Sequence, residues 1–238
     1  MSPIAQAVQA CRQHIDAALT ACGRPPGATS LLAVSKTFPP EAIREASAAG
    51  QRAFGENYLQ EALPKIASLV DLPLLEWHFI GPLQSNKTKS VAENFAWVHS
   101  VDRLKIAERL SAQRPSMLPP LAVCVQVNIS GETSKSGVAP AEALTLAKAV
   151  AALPRLQLRG FMGIAEPTAD TATQRGQFAL LRRLAEAARR QGLAWDTLSM
   201  GMSADLEAAI AEGSTLVRIG TAIFGSRTTT QHPQGVAA

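Results

Sequence analysis

Two hydrophobic periods alternate along this chain. Over residues 4–22, Ile4, Val8, Cys11, Ile15, Leu19 and Cys22 recur at helical spacing, and Gly23 supplies a stop. Short apolar runs rich in β-branched residues then recur, each followed by a segment of helical period. The runs predict strands at 31–35, 53–56, 76–81, 96–101, 121–129, 156–164, 197–200 and 216–220. Between them the pattern predicts helices at 40–49, 58–69, 103–113, 140–153 and 203–212. Others follow Ser85, run through Phe178, Leu181, Ala185 and Ala188, and turn briefly from Thr221. Pro39 and Pro40 open the first of these helices and Gly50 ends it. Ser85, Asp102 and Ser203 read as N-caps.

Eight strand–helix units after one extra N-terminal helix imply an α/β fold whose parallel sheet is covered on its outer face. Eight units in one domain favour a closed (β/α)8 barrel of the TIM type. A doubly wound open sheet is the alternative. Its nucleotide-binding form carries G-x-G-x-x-G after the first strand, where this chain has Ser35-Lys36-Thr37-Phe38. The domain is expected to span 1–227, with a disordered polar tail at 228–238.

Composition narrows the class. Of 238 residues, 47% are hydrophobic and 18% charged, as in a packed globule. No run approaches the ~18 apolar residues of a membrane span, and the N-terminal segment lacks the basic and apolar regions of a secretion signal. Cys11, Cys22 and Cys124 lack zinc-like spacing and suit free thiols in a reducing compartment, so a cytoplasmic location is expected. The net charge is +4. Basic residues are scattered, and Arg182/Arg183 and Arg189/Arg190 fall on a polar helix face, so nucleic-acid binding is not expected. A mild positive field does suit a small anion.

Barrel active sites lie at the C-terminal strand ends. Those ends carry Lys36, Glu56-Asn57, Gly81, Asn128, Met162-Gly163, the stretch 201–203 and the stretch 218–221. Lys36 closes a buried strand, where desolvation favours the neutral amine that Schiff-base formation with an aldehyde requires. It could instead simply reach solvent. Gly201-Met202-Ser203 and Gly220-Thr221 follow strands seven and eight, the usual phosphate position in barrels, although both also read as ordinary capping. Arg218 on a barrel strand needs an acceptor, either a carboxylate such as Glu56 or a ligand atom. His78 sits in an apolar strand as a core histidine or a site residue. His14, His99 and His232 are remote from it in sequence, and no metal site is expected. There is no G-x-S-x-G, Walker A or H-E-x-x-H motif. An aldehyde-reactive lysine facing a phosphate cup suits pyridoxal 5′-phosphate (PLP) or the sugar phosphate of a class I aldolase.

The chain resembles the pyridoxal phosphate homeostasis protein family, which is related to the barrel domain of alanine racemase. The matching segments are AVSKT at 33–37, FGENYLQE at 54–61, HFIGPLQSNK at 78–87, HSVDR at 99–103 and VNISGETSKSG at 127–137. RGFMGI at 159–164, LSMGMSADLEAAI at 198–210 and VRIGTAIFG at 217–225 complete the set. The resemblance implies that Lys36 holds PLP as a Schiff base and that Ser203, Gly220 and Thr221 hold its phosphate. It places Asn57 beside the cofactor, His78 and Ile80 near the ring, and Arg218 at the pyridine nitrogen. An arginine there keeps that nitrogen unprotonated and weakens the cofactor as an electron sink. The tyrosine-bearing β-domain of alanine racemase has no counterpart, and the only tyrosine, Tyr58, belongs to the ENY segment. A monomeric, non-catalytic PLP carrier serving PLP-dependent apo-enzymes is therefore implied. A fold-type III enzyme acting on amino acids is the alternative.

Overall fold

The computed structural model describes residues 1–132 and 135–225. The expected tail at 228–238, and the domain boundary at 227, lie outside the described residues. Helix α1 (Pro3–Ala21) precedes β1 (Ser30–Val34), α2 (Pro40–Ala48), β2 (Ala53–Glu56), α3 (Leu59–Ser68) and β3 (Glu76–Phe79). Next come α4 (Thr88–Asn94), β4 (Trp97–Val101), α5 (Leu104–Gln113), β5 (Leu121–Val127), α6 (Ala143–Ala151) and β6 (Leu156–Gly163). The chain continues with α7 (Thr171–Arg190), β7 (Thr197–Ser199), α8 (Leu206–Ala211), β8 (Leu216–Ile219) and α9 (Thr221–Phe224). All neighbouring strands pair in parallel, and β8 closes on β1 with Leu32 opposite Arg218. The fold is a closed eight-stranded (β/α) barrel.

Strand alternation sorts the side chains into two cores. Leu31, Ala33, Phe54, Phe79, Val98, Val123, Val125, Leu198, Val217 and Ile219 face outward and pack under the helices. A smaller cluster of Trp97, Ala122, Cys124 and Met162 fills part of the barrel interior. The extra helix α1 lies across α8, α9 and α2. Beyond its C-terminus, Arg24 donates to the carbonyls of Ile210 and Ser214, tying the helix to the barrel.

Three expected caps differ. Ser85 opens a single 3-10 turn (Ser85–Lys87) that carries no side-chain cap. Asp102 accepts from the guanidinium of Arg103 at 2.7 Å, a charge-assisted bond that outcompetes capping of α5. The helix predicted from 203 starts at Leu206, because Asp205 Oδ1 accepts from the Met202 N–H and folds 203–205 into a turn.

One buried cluster fixes the end of β1. Glu56 faces outward, accepts from Ser35 Oγ at 2.7 Å and pairs with Lys65 Nζ at 2.9 Å; Lys65 also donates to the Ser35 carbonyl. Burial pushes the Glu56 carboxyl up, opposed by the Lys65 ammonium and the two hydrogen bonds. Its second oxygen, Oε2, has no partner among the described residues, so the pair is incompletely compensated. Removing the cation strands the carboxylate. Lys65→Met is expected to lower stability by about 3–5 kcal/mol, read as a fall in the urea midpoint; an unchanged midpoint would show that the pair does not anchor this strand end.

Candidate functional site

The inner face of β1 carries Val34, and the alternation brings Lys36 into the same mouth of the barrel. A cavity of about 360 Å³ opens there. It is lined by Lys36, Asn57, Ile80, Ser203, Arg218, Gly220 and Thr221, with Val34, Met162, Ile164 and Met202 supplying apolar wall. Seven of the eight residues singled out from sequence thus meet in one place, although they come from five different strand ends.

The backbone around Lys36 is constrained. Thr37 is held at φ 68°, a left-handed conformation costly for a β-branched residue, and its N–H donates to Glu61 Oε2 at 3.0 Å. With Ser35 pinned by Lys65, both neighbours of Lys36 are fixed, which aims the lysine into the cavity. Asn57 is held by close packing against Gly81, where a Cβ would lie 2.1 Å from the Asn57 carbonyl oxygen. Asn57 Oδ1 is buried without a hydrogen-bond partner among the described residues. An unpaired buried acceptor costs about 1–3 kcal/mol.

Arg218 is buried at the cavity floor. Nη1 donates to the Ser199 carbonyl and to Ser199 Oγ at 2.9 Å, and Nη2 donates to the Gly163 carbonyl at 3.0 Å. Burial pushes its guanidinium down to about 10, opposed chiefly by the Asp205 carboxylate, so it stays charged at neutral pH. The ion pair with Glu56 that the sequence allowed does not form, because Glu56 points to the other side of the sheet. Across the cavity, the loops after β7 and β8 present Ser203, Gly220 and Thr221 together. Glu207, which could have opposed an anion here, turns away to pair with His14 on α1 at 2.6 Å.

His78 does not join this group. It shares the inner face of β3 with Ile80, but two residues separate them by about 6–7 Å along the strand. Only Ile80 reaches the cavity. His78 stacks on Trp97 with ring centroids 5.1 Å apart, places Nε2 2.8 Å from Glu76 Oε1, and lines the opposite mouth of the barrel. Its Nδ1 lies 2.9 Å from Nε2 of His99. The sequence distance between these histidines was misleading, since β3 and β4 are adjacent and the two residues share the inner face. His232 lies outside the described residues. Among the described residues no group of His, Cys, Asp and Glu could hold a metal ion.

Burial holds both imidazoles neutral. His78 is pushed down by desolvation against the pull of Glu76, and His99 falls well below the usual range through desolvation, His78 and Arg218. Unfolded histidines bind protons as pH falls through about 6.5, whereas these two take them up only at lower pH. The unfolded chain is then favoured by acid. The urea midpoint is therefore expected to fall between about pH 7 and 6, above the range in which carboxyl groups titrate; a flat midpoint would contradict neutral burial.

Comparison with known proteins agrees with this geometry. The family model described as "Alanine racemase, N-terminal domain" matches residues 7–228. The fold is thus that of the racemase-type barrel. A Pseudomonas aeruginosa protein named pyridoxal phosphate homeostasis protein is 63% identical over 227 residues, covering 95% of this chain and 97% of its own length. An Escherichia coli K12 protein of the same name is 56% identical, covering 95% of this chain and 98% of its own. A solved structure of PipY from Synechococcus elongatus PCC7942 with PLP bound superposes with a TM-score of 0.78 at 41% identity. It covers 89% of this chain and all of that one. The chain belongs to the pyridoxal phosphate homeostasis protein family.

Because backbone atoms occupy the space next to Gly81, no side-chain movement can accommodate a methyl group there. Gly81→Ala is expected to displace Asn57 and to cost about 1–3 kcal/mol, measured as a drop in Tm. Wild-type stability in this variant would mean that the Asn57 backbone is freer than the packing implies.

Proposed function

We propose that this protein binds PLP in the Lys36 cavity and buffers or delivers it, without robust turnover of its own. The observation that carries the reading is the meeting of Lys36 with Ser203, Gly220 and Thr221 around one cavity that Asn57 also lines. When bound, PLP would supply an aldehyde for reversible attachment to an amine, an anionic phosphate and a pyridine nitrogen that accepts a hydrogen bond.

The residues present fit those three demands. Lys36 would hold the aldehyde end. Ser203 and Thr221 offer hydroxyl donors, Gly220 lets the backbone approach closely, and the first turn of α9 leaves N–H groups without helical partners. Arg218 would donate to the ring nitrogen and keep it unprotonated. Val34, Ile80 and Met162 exclude water from the floor and walls. Support comes from the PLP bound to PipY and from the relatives' names.

The cavity lining also favours a carrier over a catalyst. Among the described residues its titratable side chains are Lys36 and Arg218. Exchange of a proton on both faces of an amino acid needs two placed acid/base groups, and a charged arginine is not a competent one. The PLP-dependent apo-enzymes that would receive the cofactor are the partners this reading calls for, and a monomer would serve it, since Lys36, Ser203, Gly220 and Thr221 belong to one chain. The three cysteines are free, which suits a reducing cytoplasm. No helix among the described residues is long and apolar enough to cross a membrane.

The test is spectroscopic. Purified wild-type protein mixed with PLP is expected to show a visible band that borohydride bleaches, with a one-PLP mass increase on the peptide containing Lys36; Lys36→Ala should show neither. Loaded protein should activate a PLP-free enzyme in proportion to the PLP carried. Failure to bind PLP would overturn the reading, and Lys36-dependent deuterium exchange at the α-carbon of an amino acid would replace the carrier with a catalyst.

A further inference from the structure

The barrel interior beneath the Lys36 cavity is crossed by a continuous chain of hydrogen bonds. Arg218 Nη1 donates to Ser199 Oγ at 2.9 Å, and that oxygen lies 2.8 Å from His99 Nδ1. His99 Nε2 lies 2.9 Å from His78 Nδ1, and His78 Nε2 lies 2.8 Å from Glu76 Oε1. The members come from β8, β7, β4 and β3 in turn. Ser199, His99 and His78 are buried, whereas the Glu76 side chain is 49% exposed at the mouth opposite Lys36. The chain therefore joins the two ends of the barrel.

Its direction follows from its ends. A guanidinium can only donate and an ionised carboxylate can only accept. With both rings neutral, one assignment satisfies every link: Ser199 O–H donates to His99 Nδ1, His99 Nε2–H to His78 Nδ1, and His78 Nε2–H to Glu76. Both histidines are then Nε2–H tautomers. A proton added to His78 Nδ1 would point at the His99 Nε2–H, and one added to His99 Nδ1 would require the Ser199 hydroxyl to turn round. The charged groups nearby are engaged elsewhere. Arg159 on β6 pairs with Asp196 at 2.7 Å and lies over the Trp97 ring, and Asp205 accepts from Met202 N–H. Cys124 on β5 faces the same interior, with burial pushing its thiol up to about 12, so it carries no charge there.

The geometry points to Glu76, His78, His99 and Ser199 as positioning residues for Arg218, a one-way relay anchored at the far mouth that fixes how the guanidinium meets the ligand. The three bonds that Arg218 makes to Ser199 and Gly163 leave two of its five N–H groups over, and Arg218 lines the cavity. Its plane is set by Ser199, whose hydroxyl is oriented by His99, and that ring is oriented by His78 and Glu76. The consequence for PLP rests on the proposed function; the relay itself does not.

The two are separated by measuring the relay without PLP. Imidazole 15N spectra of the PLP-free protein at about pH 7.5 are expected to show His78 and His99 as neutral Nε2–H tautomers that take up a proton only below the range of a free imidazole. An Nδ1–H tautomer, or protonation within the free-imidazole range, would overturn the relay. Ser199→Ala keeps both carbonyl acceptors of Arg218, so the fold should survive. It is expected to give mixed tautomers at His99 and about five-fold weaker PLP retention, the loss of one oriented hydrogen bond. Glu76→Ala should shift the pH midpoint of the bound-PLP absorption by about half a unit, while Glu76→Gln, whose carbonyl can still accept, should restore the wild-type tautomers and most of the midpoint. Wild-type tautomers and an unmoved midpoint in Glu76→Ala would remove the positioning role. If the wild type binds no PLP, the proposed function fails, and the tautomers still decide the relay.

Discussion

Closure of eight parallel strands leaves a narrow interior lined by every second residue and shut off from bulk water. Any polar side chain placed there must find its partner inside, because an unpaired buried group costs more than the fold can ignore. That constraint shapes most of this barrel. Trp97, Ala122, Cys124 and Met162 fill part of the space. Through it runs a polar chain in which Glu76, His78, His99, Ser199 and Arg218 satisfy one another.

The same constraint separates scaffold from site. On the outer face Glu56, Lys65 and Ser35 lock the end of β1, and the next residue but one adopts a left-handed turn. The left-handed Thr37, and the Glu56 and Asn57 oxygens that lack partners among the described residues, lie at the adjoining ends of β1 and β2. The apolar layer beneath the helices, continuous from β1 round to β8, is what such a local cost draws on.

The chemistry of Arg218 gives the site its character. A partly desolvated guanidinium, still charged at neutral pH, faces a cavity whose other titratable lining residue is Lys36. Under the proposed reading, such a lining would attach an aldehyde through Lys36 and hold an anion beside the barrel mouth.

The order and type of the elements were legible in the chain, because alternation of periods 2 and 3.6 is a local property that closure merely confirms. Lys36, Asn57, Ile80, Ser203, Arg218, Gly220 and Thr221 were legible as well, since barrel geometry assigns function to strand ends and the matching segments carry those residues. What the chain could not show was depth and partnership across strands. His78 and Ile80 have the same phase, yet only packing decides that one layer meets the cavity and the next meets Glu76. His99 and Ser199 are separated by 100 residues and lie 2.8 Å apart. Whether Arg218 would face Glu56 or Ser199 depended on which side of the sheet Glu56 occupied once Lys65 was in place. Those are tertiary decisions, because hydrogen bonds between neighbouring strands depend on register and closure, and neither leaves a mark on the local sequence pattern.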